Sequence, residues 1–133
     1  MIDHTGINVS DLPRALAFYE RALAPLGYRV KLRIGEAAAG LGADRDGRPG
    51  ADPGGDFWLS QGTPQSPRVH VAFRAGSHEE VRAFHAAALA AGGQDNGPPG
   101  YRPHYHAHYF AAFVLDPEGY NIEAVCHQAV DAG

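Results

Sequence analysis

Apolar and polar residues alternate in the same way at two well-separated places in the chain. In His4-Thr5-Gly6-Ile7-Asn8-Val9, Thr5, Ile7 and Val9 share one face, while His4, Gly6 and Asn8 share the other. In residues 69–74, Val69, Val71 and Phe73 oppose His70, Ala72 and Arg74. A period of two marks a half-buried strand. The apolar set is expected to pack on a helix and the histidine set to line the open surface of the sheet. Each strand is followed by a helical period. Leu16, Tyr19, Leu23 and Leu26 recur behind the cap candidates Ser10 and Asp11, with Pro13 in the first turn and Gly27 as the stop. Val81, Phe84, Ala88 and Ala91 recur behind Ser77, which has Glu80 three residues on as a capping box, and Gly92 and Gly93 end the pattern.

The two patterns are copies. With His4 laid over His70, Phe18 falls on Phe84, Ala22 on Ala88, Leu23 on Leu89 and Gly27 on Gly93, all at one offset. Coincidence through a strand, a helix and its terminal glycine points to a repeated unit. The rest of each copy reads as short strands. In the first these are Tyr28–Ile34, a weak one near 37–41, and 56–60, with a Gly/Asp/Pro-rich loop over 42–55. In the second, 92–103 reads as loop, 105–115 and 121–127 as strands, and Asp116-Pro117-Glu118-Gly119 as the turn between them. The expectation is an α+β fold of two βαβββ modules forming a curved mixed sheet around a metal-binding cleft. A single domain is expected over 1–133, with module one about 1–62, module two about 67–128, and 61–67 as the link.

Composition narrows the classes. The 133 residues are 44% apolar, enough for a packed core, although so short a chain gains from a dimer partner. The net charge is −4 and Lys and Arg do not cluster, which argues against a nucleic-acid partner. One cysteine allows no internal disulfide. With no basic, apolar leader-like start and no run long enough for a membrane span, a cytoplasmic setting away from membranes is expected.

His4 and His70 occupy equivalent strand positions, and Glu123 alternates with Ile122 and Ala124, which turns it to the open face. If the sheets curve around one cleft, the three side chains converge there. Two imidazoles and a carboxylate leave positions free for water or substrate, and suit Fe, Mn, Zn, Ni or Co.

The chain resembles the vicinal oxygen chelate superfamily: glyoxalase I, extradiol dioxygenases, fosfomycin-resistance enzymes and bleomycin-binding proteins. The resemblance rests on residues 2–12, Phe18-Tyr19, 69–73 and 116–123, in that order and spacing. It implies that His4, His70 and Glu123 are metal ligands, and that chains pair as homodimers. Glyoxalase I takes a fourth ligand from the last strand of its first module. Here that position is Phe57 or Trp58, neither of which binds a cation, so a three-ligand site is closer to the dioxygenase and fosfomycin-resistance branches. The function implied is a divalent-metal-dependent lyase, isomerase or oxygenase acting on a small oxygen-chelating molecule. The alternative is a protein without enzymatic activity that sequesters an aromatic drug, as bleomycin-resistance proteins do.

Residues 101–109 are the oddest stretch, with His104, His106 and His108 at alternate positions. Histidine titrates near neutrality and can serve as a general base. His106 and Tyr109 are the catalytic candidates. Trp58, Arg74, Tyr105 and His108 are the substrate-binding ones. His78 and His85 are expected on an exposed helix face, His127 as a terminal residue, and Cys126 in the core.

Overall fold

A computed structural model describes residues 1–44 and 52–129; residues 45–51 of the expected first-module loop lie outside the described residues. Module one runs β1 (Thr5–Val9), α1 (Leu12–Leu23), a 3-10 turn (Ala24–Leu26), β2 (Tyr28–Ile34), β3 (Ala38–Ala43) and β4 (Phe57–Gln61). Module two runs β5 (His70–Arg74), α2 (His78–Ala90), β6 (Gln94–Tyr101), β7 (Phe110–Leu115) and β8 (Asn121–Cys126). Each module forms a four-stranded mixed sheet, ordered β1-β4-β3-β2 and β5-β8-β7-β6. The twofold βαβββ architecture read from the repeat is the architecture observed.

Local chemistry sets the boundaries. The Asp11 side chain accepts the Arg14 N–H, and the Ser77 hydroxyl accepts the Glu80 N–H at 3.1 Å. Gly27 ends the first helical stretch in the left-handed region, with φ 86°. The apolar stripes of both helices are buried, and the helices pack on each other. Phe57 of module one meets Phe73 of module two edge-on, with ring centroids 5.1 Å apart, so one core spans both halves. Each such buried side chain contributes roughly 1.5–3 kcal/mol. With both helices committed to this core, the histidine-bearing sheet faces are left open, as the alternation requires.

The structure departs from the sequence reading along one edge. Residues 94–101 form strand β6 rather than loop, and β6 pairs only with β7. Pro98 and Pro99 fall in the register shift between Gly97 and Gly100. An edge strand with an irregularity tolerates prolines, because the missing N–H is not needed there. The following strand begins at Phe110, not near 105. Residues 102–109 form a turn-rich loop closed by the Arg102 N–H donating to the Tyr109 carbonyl at 2.7 Å. His104, His106 and His108 are therefore not on an extended strand.

Candidate functional site

The open face of module two holds a buried carboxylate. Glu123, on β8, is 2% exposed. A buried carboxylate is costly unless it is paired and hydrogen-bonded, and both of its oxygens are engaged. Oε1 lies 2.9 Å from His70 Nε2, and Oε2 accepts the Tyr109 hydroxyl. On the other side of the imidazole, His70 Nδ1 lies 2.9 Å from the Asn121 carbonyl. A carbonyl only accepts, so Nδ1 carries a proton and Nε2 is directed at the carboxylate. The Nε2···Oε1 contact then needs either a proton, carried by one of the two partners, or a metal ion held by both. A histidine that gives its second N–H to a backbone carbonyl is oriented as metal-binding histidines are. Burial, and next the bond to Glu123, push the Tyr109 phenol well above its ordinary value, so it acts as a fixed donor.

Phe113 lies directly across from Glu123 on β7, which places it on the same face. Its ring stacks near His70, with centroids 6.1 Å apart, and the Arg102 guanidinium lies 5.4 Å from the ring centroid. Phe113, Arg102 and Asn121 were not singled out from sequence. Phe113 could have been found, because pairing β7 with β8 across the 116–119 turn sets it opposite Glu123. Arg102 carried no such signal.

The equivalent face of module one is built differently. His4 precedes β1 and is exposed. Its Nδ1 lies 2.7 Å from Asp3 Oδ1, and this bond raises the histidine's pKa, with Asp52 adding a smaller effect. The ligand atoms of Asp3, His4 and Asp52 all lie within 4.8 Å of one another. Within one chain, then, the structure brings His70 and Glu123 together, while His4 gathers with two other carboxylates instead. The strand register also decides between Phe57 and Trp58. Trp58 pairs with Gly6 as Glu123 pairs with Ala72, so Trp58 takes the carboxylate's place, and Phe57 is core. The indole lies over Gly40 and against Gly54. A Cβ on Gly40 would come within 2.7 Å of the ring and 2.1 Å of the Gly54 carbonyl oxygen.

The remaining candidates are exposed. Tyr105 is exposed, with its ring 4.7 Å from that of Tyr109. His106 Nδ1 accepts the His108 N–H, so its Nε2–H donates to His127 Nδ1 at 2.9 Å. His108 is exposed, and Arg74 is exposed at the end of β5. His127 is thus tied to the histidine loop rather than merely terminal. His78 is not on an exposed helix face. It is 4% exposed, stacks on Phe110 with centroids 4.0 Å apart, and bonds the Gln128 carbonyl. His85 is largely covered too, with Nε2 2.9 Å from Asp95 Oδ1. Cys126 is core, as expected. No helix among the described residues is long and apolar enough to cross a membrane.

Comparison with known proteins gives one family. The sequence model described as Glyoxalase/Bleomycin resistance protein/Dioxygenase superfamily matches residues 1–124. Among solved structures, a glyoxalase/bleomycin resistance protein from Albidiferax ferrireducens is 26% identical, with TM-score 0.73, over 94% of this chain and 97% of that one. A lactoylglutathione lyase from Agrobacterium tumefaciens is 17% identical, with TM-score 0.66, over 95% and 92%. A glyoxalase-related enzyme from Fulvimarina pelagi is 18% identical, with TM-score 0.68, over 95% and 87%. The last two likenesses concern the fold alone. No curated protein matches the chain.

Proposed function

The chain belongs to the Glyoxalase/Bleomycin resistance protein/Dioxygenase superfamily, and from that premise we propose that it is a divalent-metal-dependent enzyme acting on a small molecule with neighbouring oxygens. The observation behind this reading is the His70–Glu123 pair: a buried carboxylate facing an imidazole nitrogen whose other N–H is fixed on the Asn121 carbonyl. The donor set fits a borderline divalent cation such as Fe, Mn, Zn, Ni or Co. His70 and Glu123 would hold it, joined by His4. Since His4 gathers with Asp3 and Asp52 in its own chain, the third ligand is assigned to a second copy of the chain, in a homodimer. A bound metal would supply Lewis acidity to adjacent substrate oxygens.

The protein's own groups do the rest. Tyr109 donates to Glu123, keeping the carboxylate aimed at the site. The hydrogen-bonded His106–His127 pair stands beside Tyr109, and opening the bond between the two rings frees the nitrogen that accepts the substrate proton in this reading. Phe113 and Tyr105 offer flat apolar surface to the substrate, with His108, Arg74 and Trp58 as further contacts. The same aromatic surface supports the second reading, sequestration of an aromatic drug.

Metal content of mixed variants tests the proposal. His4→Ala and Glu123→Gln chains should each bind little metal alone. Co-refolded, they should regain one metal per heterodimer, because one of the two shared sites is then intact. No recovery, with the single variants still metal-free, would return His4 to its own chain's site. Wild-type protein that stays metal-free with Fe(II), Mn(II), Zn(II) and Ni(II) would leave only sequestration.

A further inference from the structure

We propose that Arg102 is a specificity-determining residue that selects substrates bearing an anionic group, a carboxylate or phosphate, for the open face of module two. The inference deepens the functional reading above and rests on it for the word substrate, but not for the binding of the anion itself.

Arg102 is half-buried, and its guanidinium is held from behind by backbone alone. One N–H donates to the Gly100 carbonyl at 2.9 Å and another to the Pro98 carbonyl at 2.8 Å. The side chain lies in a hollow made by two glycines. A Cβ on Gly97 would come within 3.1 Å of one guanidinium nitrogen, and a Cβ on Gly100 within 3.2 Å of the other. Phe113 forms the wall on which the cation rests. The irregular Pro98-Pro99 stretch of β6 thus aims two carbonyls at one arginine.

The charge is left uncompensated. No carboxylate among the described residues pairs with Arg102, although Asp44 takes both Arg29 and Lys31, and Glu79 takes Arg82. A half-buried guanidinium with no carboxylate partner keeps its charge available to an anionic ligand. The two carbonyl bonds use two of the five guanidinium N–H groups. A planar array of the remaining donors matches a carboxylate or phosphate. The location adds direction. The Phe113 ring centroid lies 6.1 Å from that of His70 and 5.4 Å from the Arg102 guanidinium. A small molecule lying along the Phe113 ring would present its neighbouring oxygens at His70 and Glu123 and its anionic end at Arg102.

The test uses two probes of matched shape, benzoate and neutral benzamide, titrated into the full-length protein by NMR. One series is run after chelator treatment and one with equimolar Zn(II). Benzoate should bind at least about ten-fold tighter than benzamide in both series, and should shift the Arg102 Nε–H and Phe113 ring signals. In Arg102→Gln the preference should fall to within about two-fold while benzamide affinity is kept; Arg102→Lys should retain part of it. Benzyl phosphate run alongside benzoate identifies which anion is preferred. Equal binding of benzoate and benzamide by wild type, no binding of either, or shifts that map away from Arg102 would overturn the inference. The wild-type mapping does not depend on the variants folding. A preference that persists in chelator-treated protein that never takes up metal would sink the metal proposal and leave this one standing.

Discussion

The two open sheet faces begin from the same strand-and-helix template and finish with opposite chemistry. In module two, β8 offers Glu123, closed in by His70 and Tyr109 with Phe113 beside it. In module one, the matching position of β4 is Trp58, flanked across the sheet by Gly6 and Gly40. One face spends its middle strand on a buried charge and needs polar neighbours to satisfy it. The other fills the same space with an indole and needs neighbours with no side chain. The lesson is that duplication preserves the scaffold while a handful of cross-strand pairs decides what each face can do.

The comparison is tested most severely by truncating the two equivalent histidines. His70→Ala should destabilise the protein by about 3 kcal/mol, the low end for breaking a buried pair, because His70 is itself half-exposed while Glu123 is left uncompensated. His4→Ala should leave stability essentially unchanged, as an exposed position should. Equal losses in urea denaturation would mean the two faces are not built differently. Next in size, Gly40→Ala should cost about 2 kcal/mol, since its Cβ collides with the Gly54 carbonyl as well as the indole. For that reason, adding Trp58→Ala should restore only part of the loss; full rescue would assign the strain to the indole alone.

Tyr109→Phe should cost about 1 kcal/mol, less than a fully buried bond to a charged group, and should weaken metal uptake more than Tyr105→Phe does. The smallest effect concerns pH and belongs to module one. Asp44, held by Arg29 and Lys31, has its pKa lowered from 3.8 to about 2. A lowered carboxylate stabilises the fold above pH 3.8, and that contribution disappears as pH falls toward 2. Melting temperatures of wild type and Asp44→Asn should therefore differ slightly at pH 5 and converge near pH 2; curves that stay parallel throughout would remove the linkage.

Much of this was legible in the chain itself. The offset between His4 and His70 gave the two modules, and alternation around Glu123 gave its face, because strand period and helix period are local properties that survive in one sequence. The β6 edge was not legible. Gly97, Pro98, Pro99 and Gly100 have loop chemistry, and only a place at a sheet edge lets the two glycines pair while the prolines bulge between them. Arg102 was not legible for a related reason, since the carbonyls that orient it belong to that irregular strand. His78 was misread because Phe110, the ring that covers it, comes from the other end of the module. The grouping of His4 with Asp3 and Asp52 could not be read either, since a repeat specifies equivalent positions but not which loop residues gather around them.

Trp58 is the only tryptophan in the chain, and it sits wholly within the first module, over Gly40 and against Gly54 beside Asp52. Its fluorescence is therefore a built-in optical probe with a known address. Emission selectively excited in the indole band reports solvent access and nearby ions at the Asp3–His4–Asp52 end. Events confined to the His70–Glu123 face are sensed chiefly through tyrosine absorbance. Titrating a paramagnetic quencher such as Mn(II) while recording both signals would show whether an ion at the His70–Glu123 face is also sensed at the His4 end, as the shared site of the proposed homodimer requires, without any label being attached.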